Sequence, residues 1–185
     1  MDKRLFAGAD AINRAIEQIA EAIIKEFSPI ETHGIVLVGL YKQGVPLAER
    51  IAAEIFRQSG ALLPVGTLDI SMYRDDVGLK SALPLIRETK IPFAIDKQKV
   101  ILVDDVLSSG RTIRAGLDAI TDYGRPALIR LAVLVDRQSR EYPIQADYVG
   151  MTHTFPSNRK VLVELAPEDP CDAIYDVTWI ENKQS

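Results

Sequence analysis

Cysteine and histidine are scarce in this chain of 185 residues, which contains one cysteine and two histidines. A lone cysteine, Cys171, cannot form an internal disulfide framework or a cysteine-based metal cluster. This composition fits a reducing compartment, and we expect a cytoplasmic location.

Long hydrophobic runs and a surplus of positive charge are also absent. The apolar runs are far shorter than a membrane span, and the N-terminal segment has no apolar core of signal-peptide length. The 22 basic and 26 acidic residues give a net charge of −4, which excludes a generally basic nucleic-acid coat but permits a local basic patch. Hydrophobic residues make up 47% of the chain, so we expect one globular domain over residues 1–185.

The spacing of apolar residues predicts strands that alternate with helices. Helical spacing predicts three helices, at 9–27, 45–58 and 112–123. Short apolar runs predict strands at 35–38, 63–73, 100–103, 127–135, 146–150 and 161–165, with an edge strand at 173–180. This order predicts an α/β fold with a mostly parallel central sheet flanked by helices, in which ligands bind at the carboxyl ends of the strands.

The segment after the predicted strand 100–103 combines two acids with a helix start rich in hydroxyl groups. Asp104 and Asp105 suit diol hydroxyls or a nearby magnesium ion, because carboxylates accept hydrogen bonds and prefer hard cations. Residues 108–112 read Ser-Ser-Gly-Arg-Thr at the start of a helix, which is typical of a phosphate cradle. An isolated Asp-Asp pair would more often cap a strand, but the whole pattern favours a ligand site.

Two other nucleotide-binding patterns are excluded. Gly39 and Gly44 have the spacing of a P-loop, but Val45 and Pro46 follow where that motif needs Lys and Ser or Thr. No Gly-x-Gly-x-x-Gly follows any predicted strand, so a dinucleotide fingerprint is absent.

The segment 100–112, VILVDDVLSSGRT, resembles the binding signature for phosphoribosyl pyrophosphate (PRPP) in type I phosphoribosyltransferases. Further segments resemble the PyrR family, whose members are both pyrimidine operon attenuation regulators and uracil phosphoribosyltransferases: LDISMYRDD (68–76), GRP (124–126), LAVLVDR (131–137) and ADYVG (146–150). The resemblance implies a type I phosphoribosyltransferase fold with a flexible hood over residues 74–98. It also implies an enzyme that converts uracil and PRPP to uridine monophosphate (UMP) and pyrophosphate.

The resemblance assigns roles around PRPP residue by residue. Asp104 and Asp105 would bind the ribose hydroxyls, and the loop that follows would bind the rest of PRPP through Val106, Leu107, Ser108, Ser109, Gly110, Arg111 and Thr112. The turn for pyrophosphate would consist of Tyr41, Lys42, Gln43 and Gly44. The family usually shows Lys or His, Thr, Arg and Gly there, so this chain lacks the arginine and has a lysine one position earlier.

Other assignments concern the hood, the metal and the base. Arg74 would approach pyrophosphate from the hood, although a plain surface loop is the alternative reading. Magnesium would arrive with PRPP and have no direct protein ligand, assisted through water by Asp75, Asp76, Asp104 and Asp105. The base would contact Asp136, Arg137 and the backbone near Val161, which could equally be a core residue. Ser108 stands where purine enzymes of this fold usually carry an acid, which favours a pyrimidine.

Three functions therefore remain open: a uracil phosphoribosyltransferase, a nucleotide-sensing regulator that binds pyrimidine-leader RNA with little catalysis, and a phosphoribosyltransferase for another base. The resemblance also implies a homodimer or homotetramer. We expect weak RNA binding, because the first helix carries the acids Glu17, Glu21 and Glu26, while Gln138 and Ser139 replace the family's Gly-His.

Overall fold

The computed structural model describes residues 3–29, 34–74, 88–156 and 158–178. Its strands are β1 (Lys3–Gly8), β2 (Ile35–Leu40), β3 (Val65–Leu68), β4 (Lys99–Leu107), β5 (Leu128–Asp136), β6 (Tyr148–Thr152), β7 (Arg159–Glu164) and β8 (Ala173–Thr178). Its α-helices are α1 (Ala9–Glu26), α2 (Gly44–Ser59) and α3 (Arg111–Thr121). Within these residues no helix is long and apolar enough to cross a membrane.

The central sheet has five strands in the order β3-β2-β4-β5-β6, and every neighbouring pair is parallel. This confirms the predicted α/β architecture. Alternate residues of one strand enter different cores: Leu37 packs with α1 and α2, whereas Val38 packs with α3. Helices on both faces explain why these strands read as continuous apolar runs.

A second, antiparallel sheet has the order β1-β8-β7. The sequence pattern predicts an edge strand at 173–180 and no strand before the first helix. The edge assignment is wrong, because Leu5 of β1 and Leu162 of β7 both pair with Tyr175 of β8, which makes β8 the middle strand. The strand β1 was missed because six residues that precede a helix carry little periodic signal of their own.

The strand predicted at 63–73 is much shorter than expected. It ends at Leu68, and a short 3₁₀ helix follows at Ser71–Tyr73. The side chain of Asp69 accepts hydrogen bonds from the Ser71 backbone N at 2.8 Å and the Ser71 Oγ at 2.5 Å, and this turn diverts the chain from the strand.

Only part of the predicted hood, residues 74–98, is described. Asp75, Asp76 and the residues up to 87 lie outside the described residues. On its carboxyl side, Lys90 and Thr67 exchange two backbone hydrogen bonds of 2.8 Å, and the side chain of Ile95 is buried. This end of the segment is therefore attached to the edge of the central sheet at β3.

Candidate functional site

The acid pair lies at the point where two central strands part. The sequence pattern predicts a strand that ends at residue 103, before Asp104 and Asp105, and this boundary is wrong because β4 continues to Leu107. The pairing of β2 with β4 ends at Gly39 and Val103, while β4 stays paired with β5 up to Leu107 and Asp136. A crevice beside β4 follows from this, as expected at the carboxyl ends of parallel strands.

Asp104 and Asp105 are held in the crevice by backbone hydrogen bonds. The side chain of Asp104 is buried and that of Asp105 is half-buried. Asp104 Oδ1 accepts from the Asp105 backbone N, and Asp105 Oδ1 accepts from the Val106 backbone N, both at 3.0 Å. These bonds orient both carboxyl groups before any ligand arrives.

Burial makes it costly to ionise the pair. It raises the pKa of Asp104 well above the ordinary value, and the neighbouring Asp105 raises it further, whereas the charge of Arg74 acts in the opposite direction. Burial also raises the pKa of Asp105, although the bonds to Asp104 and from Val106 oppose this. A ligand that supplies hydroxyl donors or a cation would relieve the unfavourable charge.

The loop Ser108–Thr112 has the geometry of an anion cradle. Gly110 has a φ of +91°, a left-handed conformation that favours glycine, and the helix α3 begins at Arg111. Gly110, the N-cap residue of α3, has no side chain to cap the helix, and Ser109 Oγ accepts from the Arg111 backbone N at 3.3 Å, which places a loop hydroxyl at the helix start. The side chains of this segment differ in burial: Leu107 is buried in the core, whereas Ser108 and Ser109 are partly exposed.

The phosphate loop is bonded to the loop that follows β5. Ser109 O accepts from the backbone N of Glu141 at 2.9 Å and of Tyr142 at 3.0 Å, and the Arg111 guanidinium pairs with Glu141 at 2.5 Å. Arg140 donates to Ser108 O at 3.0 Å. The resemblance assigns Arg111 to phosphate, which stays a prediction; in the structure its guanidinium pairs with the carboxylate of Glu141 on the neighbouring loop.

The residues predicted for the base lie at the end of β5 and on β7. Asp136 is buried, and its carboxylate accepts from Arg140 and the Gln138 backbone N, each at 2.7 Å. Arg137 donates to Arg159 O at 2.8 Å and reaches Ser108 Oγ at 3.4 Å, so its guanidinium joins β7 to the phosphate loop. Burial lowers the pKa of Arg137.

The side chain of Val161 packs against the hydrophobic core beneath the three-stranded sheet. This matches the core alternative that the sequence left open. A contact of its backbone with a base stays a prediction.

The turn predicted to bind pyrophosphate packs directly on β4. A Cβ on Gly44 would lie 2.4 Å from Val103 O, and one on Gly39 would lie 2.5 Å from Gly44 O, so both positions require glycine. The close approach sets the turn beside the acid pair, since Asp104 follows Val103. Lys42 is half exposed, and its Nζ lies 3.7 Å from Asp169 Oδ1. Gln43 is buried and donates from Nε2 to Asp169 Oδ2.

Arg74, at the start of the hood, lies near enough for its charge to oppose the rise in the pKa of Asp104. The structure thus brings the acid pair, the pyrophosphate turn, the phosphate loop and Arg74 to one edge of the sheet. Sequence reasoning missed Asp169 at this site and the clamping contacts of Arg140. No local sequence pattern links Asp169 to the pyrophosphate turn or Arg140 to the phosphate loop, because each contacts residues that are distant in the sequence.

Comparisons with known proteins agree with this geometry. The phosphoribosyl transferase domain family matches residues 8–166. The bifunctional protein PyrR of Deinococcus deserti is 48% identical over 172 residues, which cover 93% of each chain. The bifunctional protein PyrR of Chloroflexus aurantiacus is 47% identical over 173 residues, or 94% of each chain.

Solved structures show the same fold at low identity. The hypoxanthine phosphoribosyltransferase of Trypanosoma cruzi aligns with a TM-score of 0.71 and 16% identity, covering 96% of this chain and 97% of that one. A hypoxanthine-guanine phosphoribosyltransferase of Bacillus anthracis aligns with a TM-score of 0.67 and 18% identity, covering 96% and 100%. Likeness at this identity bears on the fold and leaves the base unassigned.

Proposed function

Because this chain belongs to the PyrR family and is built on the phosphoribosyl transferase domain, we propose that it transfers the phosphoribosyl group of PRPP to uracil. The products are UMP and pyrophosphate. The observation that carries this proposal is the acid pair of buried Asp104 and half-buried Asp105, which is followed by the glycine-led start of α3 at Gly110. Carboxylates that accept hydrogen bonds from hydroxyl groups, followed directly by a loop suited to an anion, fit the ribose and the phosphate of a ribose 5-phosphate.

The reaction is a displacement at the anomeric carbon of PRPP. Uracil N1 forms the new bond to this carbon, the bond to pyrophosphate breaks, and the proton of N1 is lost to solvent. Asp104 and Asp105 hold the ribose by its two hydroxyls, and the amides of 108–112 hold the 5′-phosphate. The protein needs no nucleophilic side chain, since holding both reactants in line supplies much of the rate.

Charge grows on the pyrophosphate as it leaves. Lys42 and Arg74 are the cations assigned to this side of the crevice, and they stabilise that charge more in the transition state than in the ground state. Lysine acts as a point charge, so Lys42 replaces only part of the bidentate grip of the family's arginine.

The donor set fits magnesium delivered by the substrate. The described residues contain no group of three or more His, Cys, Asp or Glu that could hold a metal ion, but they do contain the adjacent carboxylates Asp104 and Asp105. Magnesium is usually held by one or two carboxylates together with substrate phosphates. When bound, it would neutralise charge on the pyrophosphate, and the two acids would hold it through water.

A pyrimidine is the base that we infer. Ser108 offers a hydroxyl where the purine enzymes usually have an acid, and it lies 3.4 Å from Arg137. The Arg137 guanidinium is the donor for a base carbonyl, and Asp136 acts on the base indirectly, because Arg140 and Gln138 already occupy its carboxylate.

Regulation through pyrimidine-leader RNA is the second function that we propose, with weak affinity. Three arginines near the loop after β5 are engaged within the protein: Arg137 with Arg159 O, Arg140 with Asp136, and Arg159 with Asp176 at 2.5 Å. Phosphate contacts would have to compete with these partners. The acid Glu26 is less repulsive than its charge suggests, because Arg130 pairs with it at 2.7 Å.

We also propose a cytoplasmic homodimer or homotetramer. The exposed free thiol of Cys171 fits a reducing compartment, and the exposed side chains of Phe56 and Leu62 are of the kind that a subunit interface would cover. Light scattering after gel filtration measures the subunit number.

An assay with several bases tests the enzymatic proposal. Pyrophosphate release is followed with PRPP and magnesium and, in turn, uracil, orotate, hypoxanthine, guanine and adenine. We expect release with uracil to be at least about tenfold faster in kcat/KM than with any other base, as polar recognition of a base edge allows. Faster release with a purine would favour the enzyme for another base, and no release with any base would favour the regulator.

A further inference from the structure

The connection between β7 and β8 contacts the pyrophosphate turn through one carboxylate. Asp169 Oδ2 accepts hydrogen bonds from Gln43 Nε2 and from the Leu165 backbone N, the latter at 3.0 Å. Its other oxygen, Oδ1, lies 3.7 Å from Lys42 Nζ. The two oxygens of one side chain therefore contact adjacent residues of the turn in different ways.

The position of Asp169 is determined by α2, the helix that follows the same turn. Arg50 of α2 pairs with both carboxylate oxygens of Asp172, at 2.6 and 2.8 Å, and donates to Ala166 O at 2.6 Å. Ala166 N donates to Asp172 Oδ1 at 2.9 Å, and Asp169 N donates to Leu165 O at 3.0 Å. The connection is thus hydrogen-bonded to α2 through Ala166 and Asp172, and the carboxylate of Asp169 faces the turn.

Gln43 depends on this carboxylate. Its side chain is 7% exposed, and its Oε1 has no hydrogen-bond partner among the described residues. Within the described part of the chain, the bond from Nε2 to Asp169 is therefore the one hydrogen bond of this buried amide group. Without it both ends would be unpaired, and the turn would have to shift to expose them.

The contact with Lys42 is weaker. The Lys42 side chain is 52% exposed, and an ion pair at 3.7 Å near the surface contributes little. A pyrophosphate group carries several negative charges, so it can displace the single carboxylate from the ammonium group.

We propose that Asp169 is the positioning residue of the pyrophosphate turn: Oδ2 holds the turn in place through Gln43, and Oδ1 holds the Lys42 ammonium until pyrophosphate replaces it. The role rests on the proposed function, because it concerns the same turn. It also explains how a turn without the family's arginine keeps a defined shape: the glutamine at that position is anchored by the connection between β7 and β8.

Two substitutions distinguish the roles of the two carboxylate oxygens of Asp169. In Asp169→Asn, the remaining carbonyl oxygen can still accept from Gln43 and Leu165, while the amide NH₂ group faces Lys42. In Asp169→Ala, both contacts are lost. Asp10→Asn removes an exposed carboxylate from the first turn of α1 and serves as the control for net charge.

The measurements are the KM values for PRPP and uracil and the Kd of pyrophosphate by calorimetry. For Asp169→Ala we expect a rise of about tenfold in the KM for PRPP, with the KM for uracil changed less than about twofold, since a tenfold loss corresponds to about 1.4 kcal/mol. For Asp169→Asn we expect pyrophosphate to bind about threefold more tightly than in the parent protein, the scale of one exposed ion pair.

Three results would overturn the assignment: an unchanged KM for PRPP in Asp169→Ala, an equal rise in the KM for uracil, or weaker pyrophosphate binding in Asp169→Asn. If Asp169→Ala does not fold, the pyrophosphate Kd of Asp169→Asn decides alone. Failure of the proposed function gives a different pattern, because the parent protein would then release no pyrophosphate with uracil, and the calorimetric comparison with pyrophosphate would still test Asp169.

Discussion

Replacing Asp104 by asparagine should stabilise the folded protein and at the same time weaken PRPP binding. Burial and the neighbouring Asp105 raise the pKa of Asp104 well above the ordinary 3.8. The folded state therefore binds this proton more tightly than the unfolded chain does. Its stability is highest below the ordinary pKa and is lost as the pH rises through the raised pKa. Asparagine does not ionise, so the variant does not lose this stability as the pH rises.

The size of the effect follows from the contacts. The asparagine Oδ1 can keep the 3.0 Å bond that Asp104 Oδ1 accepts from the Asp105 backbone, so the change removes a buried charge and retains its partner. We expect a gain of about 1–3 kcal/mol near neutral pH, the scale of an imperfectly compensated buried group. For a chain of this size the melting temperature should rise by roughly 2–4 °C per kcal/mol.

PRPP binding should weaken in the same variant. A hydrogen bond to a charged acceptor contributes about 1.5–3 kcal/mol, so the Kd should rise by a factor of roughly ten to a hundred. These two outcomes together would show that the protein keeps a carboxylate that destabilises its fold because PRPP binding requires it.

Urea unfolding at several pH values and calorimetry with PRPP measure both effects. The stability difference between Asp104→Asn and the parent protein should be large at neutral pH and should shrink toward pH 4, near the ordinary pKa. Asp105→Asn is the matched control, and its gain should be smaller, because Asp105 is only half-buried and its bond with the Asp104 side chain favours its charged form. A less stable Asp104→Asn at neutral pH, or unchanged PRPP affinity, would refute the reasoning.

Three further outcomes are expected. Lys42→Ala should lower kcat about tenfold and leave the KM for uracil nearly unchanged, because its charge acts on the leaving group; full activity in steady-state assays, combined with loss in Arg74→Ala, would assign pyrophosphate to the hood alone. Gly110→Ala should destabilise the protein by about 1–2 kcal/mol, because φ is +91°, and should weaken UMP binding; thermal unfolding and calorimetry check both, and an unchanged UMP affinity would exclude the cradle. Binding to the organism's own pyrimidine-leader hairpin should be in the micromolar range or weaker at physiological salt; tight, UMP-dependent binding with a steep salt slope in gel-shift titrations would contradict this.

Local patterns were sufficient for much of the fold and for the centre of the site. The runs around Val38, Val103 and Val135 are apolar on both faces of a strand, and this signal is present in the sequence without any knowledge of neighbours. The phosphate loop is also local, since its glycine, its hydroxyl groups and the following helix start are consecutive residues.

Contacts between distant residues could be found only in the tertiary structure. The pairing of Leu5 with Tyr175, which makes β8 a middle strand, joins the two ends of the chain. The bond between Gln43 and Asp169 joins a turn to a loop far along the sequence. Likewise, the raised pKa of Asp104 depends on how deeply the fold buries it, and the charge of Arg74 from a distant segment opposes the rise. A sequence pattern records which groups are present, whereas distance and burial, which set the strength of their interactions, arise only when the chain is folded.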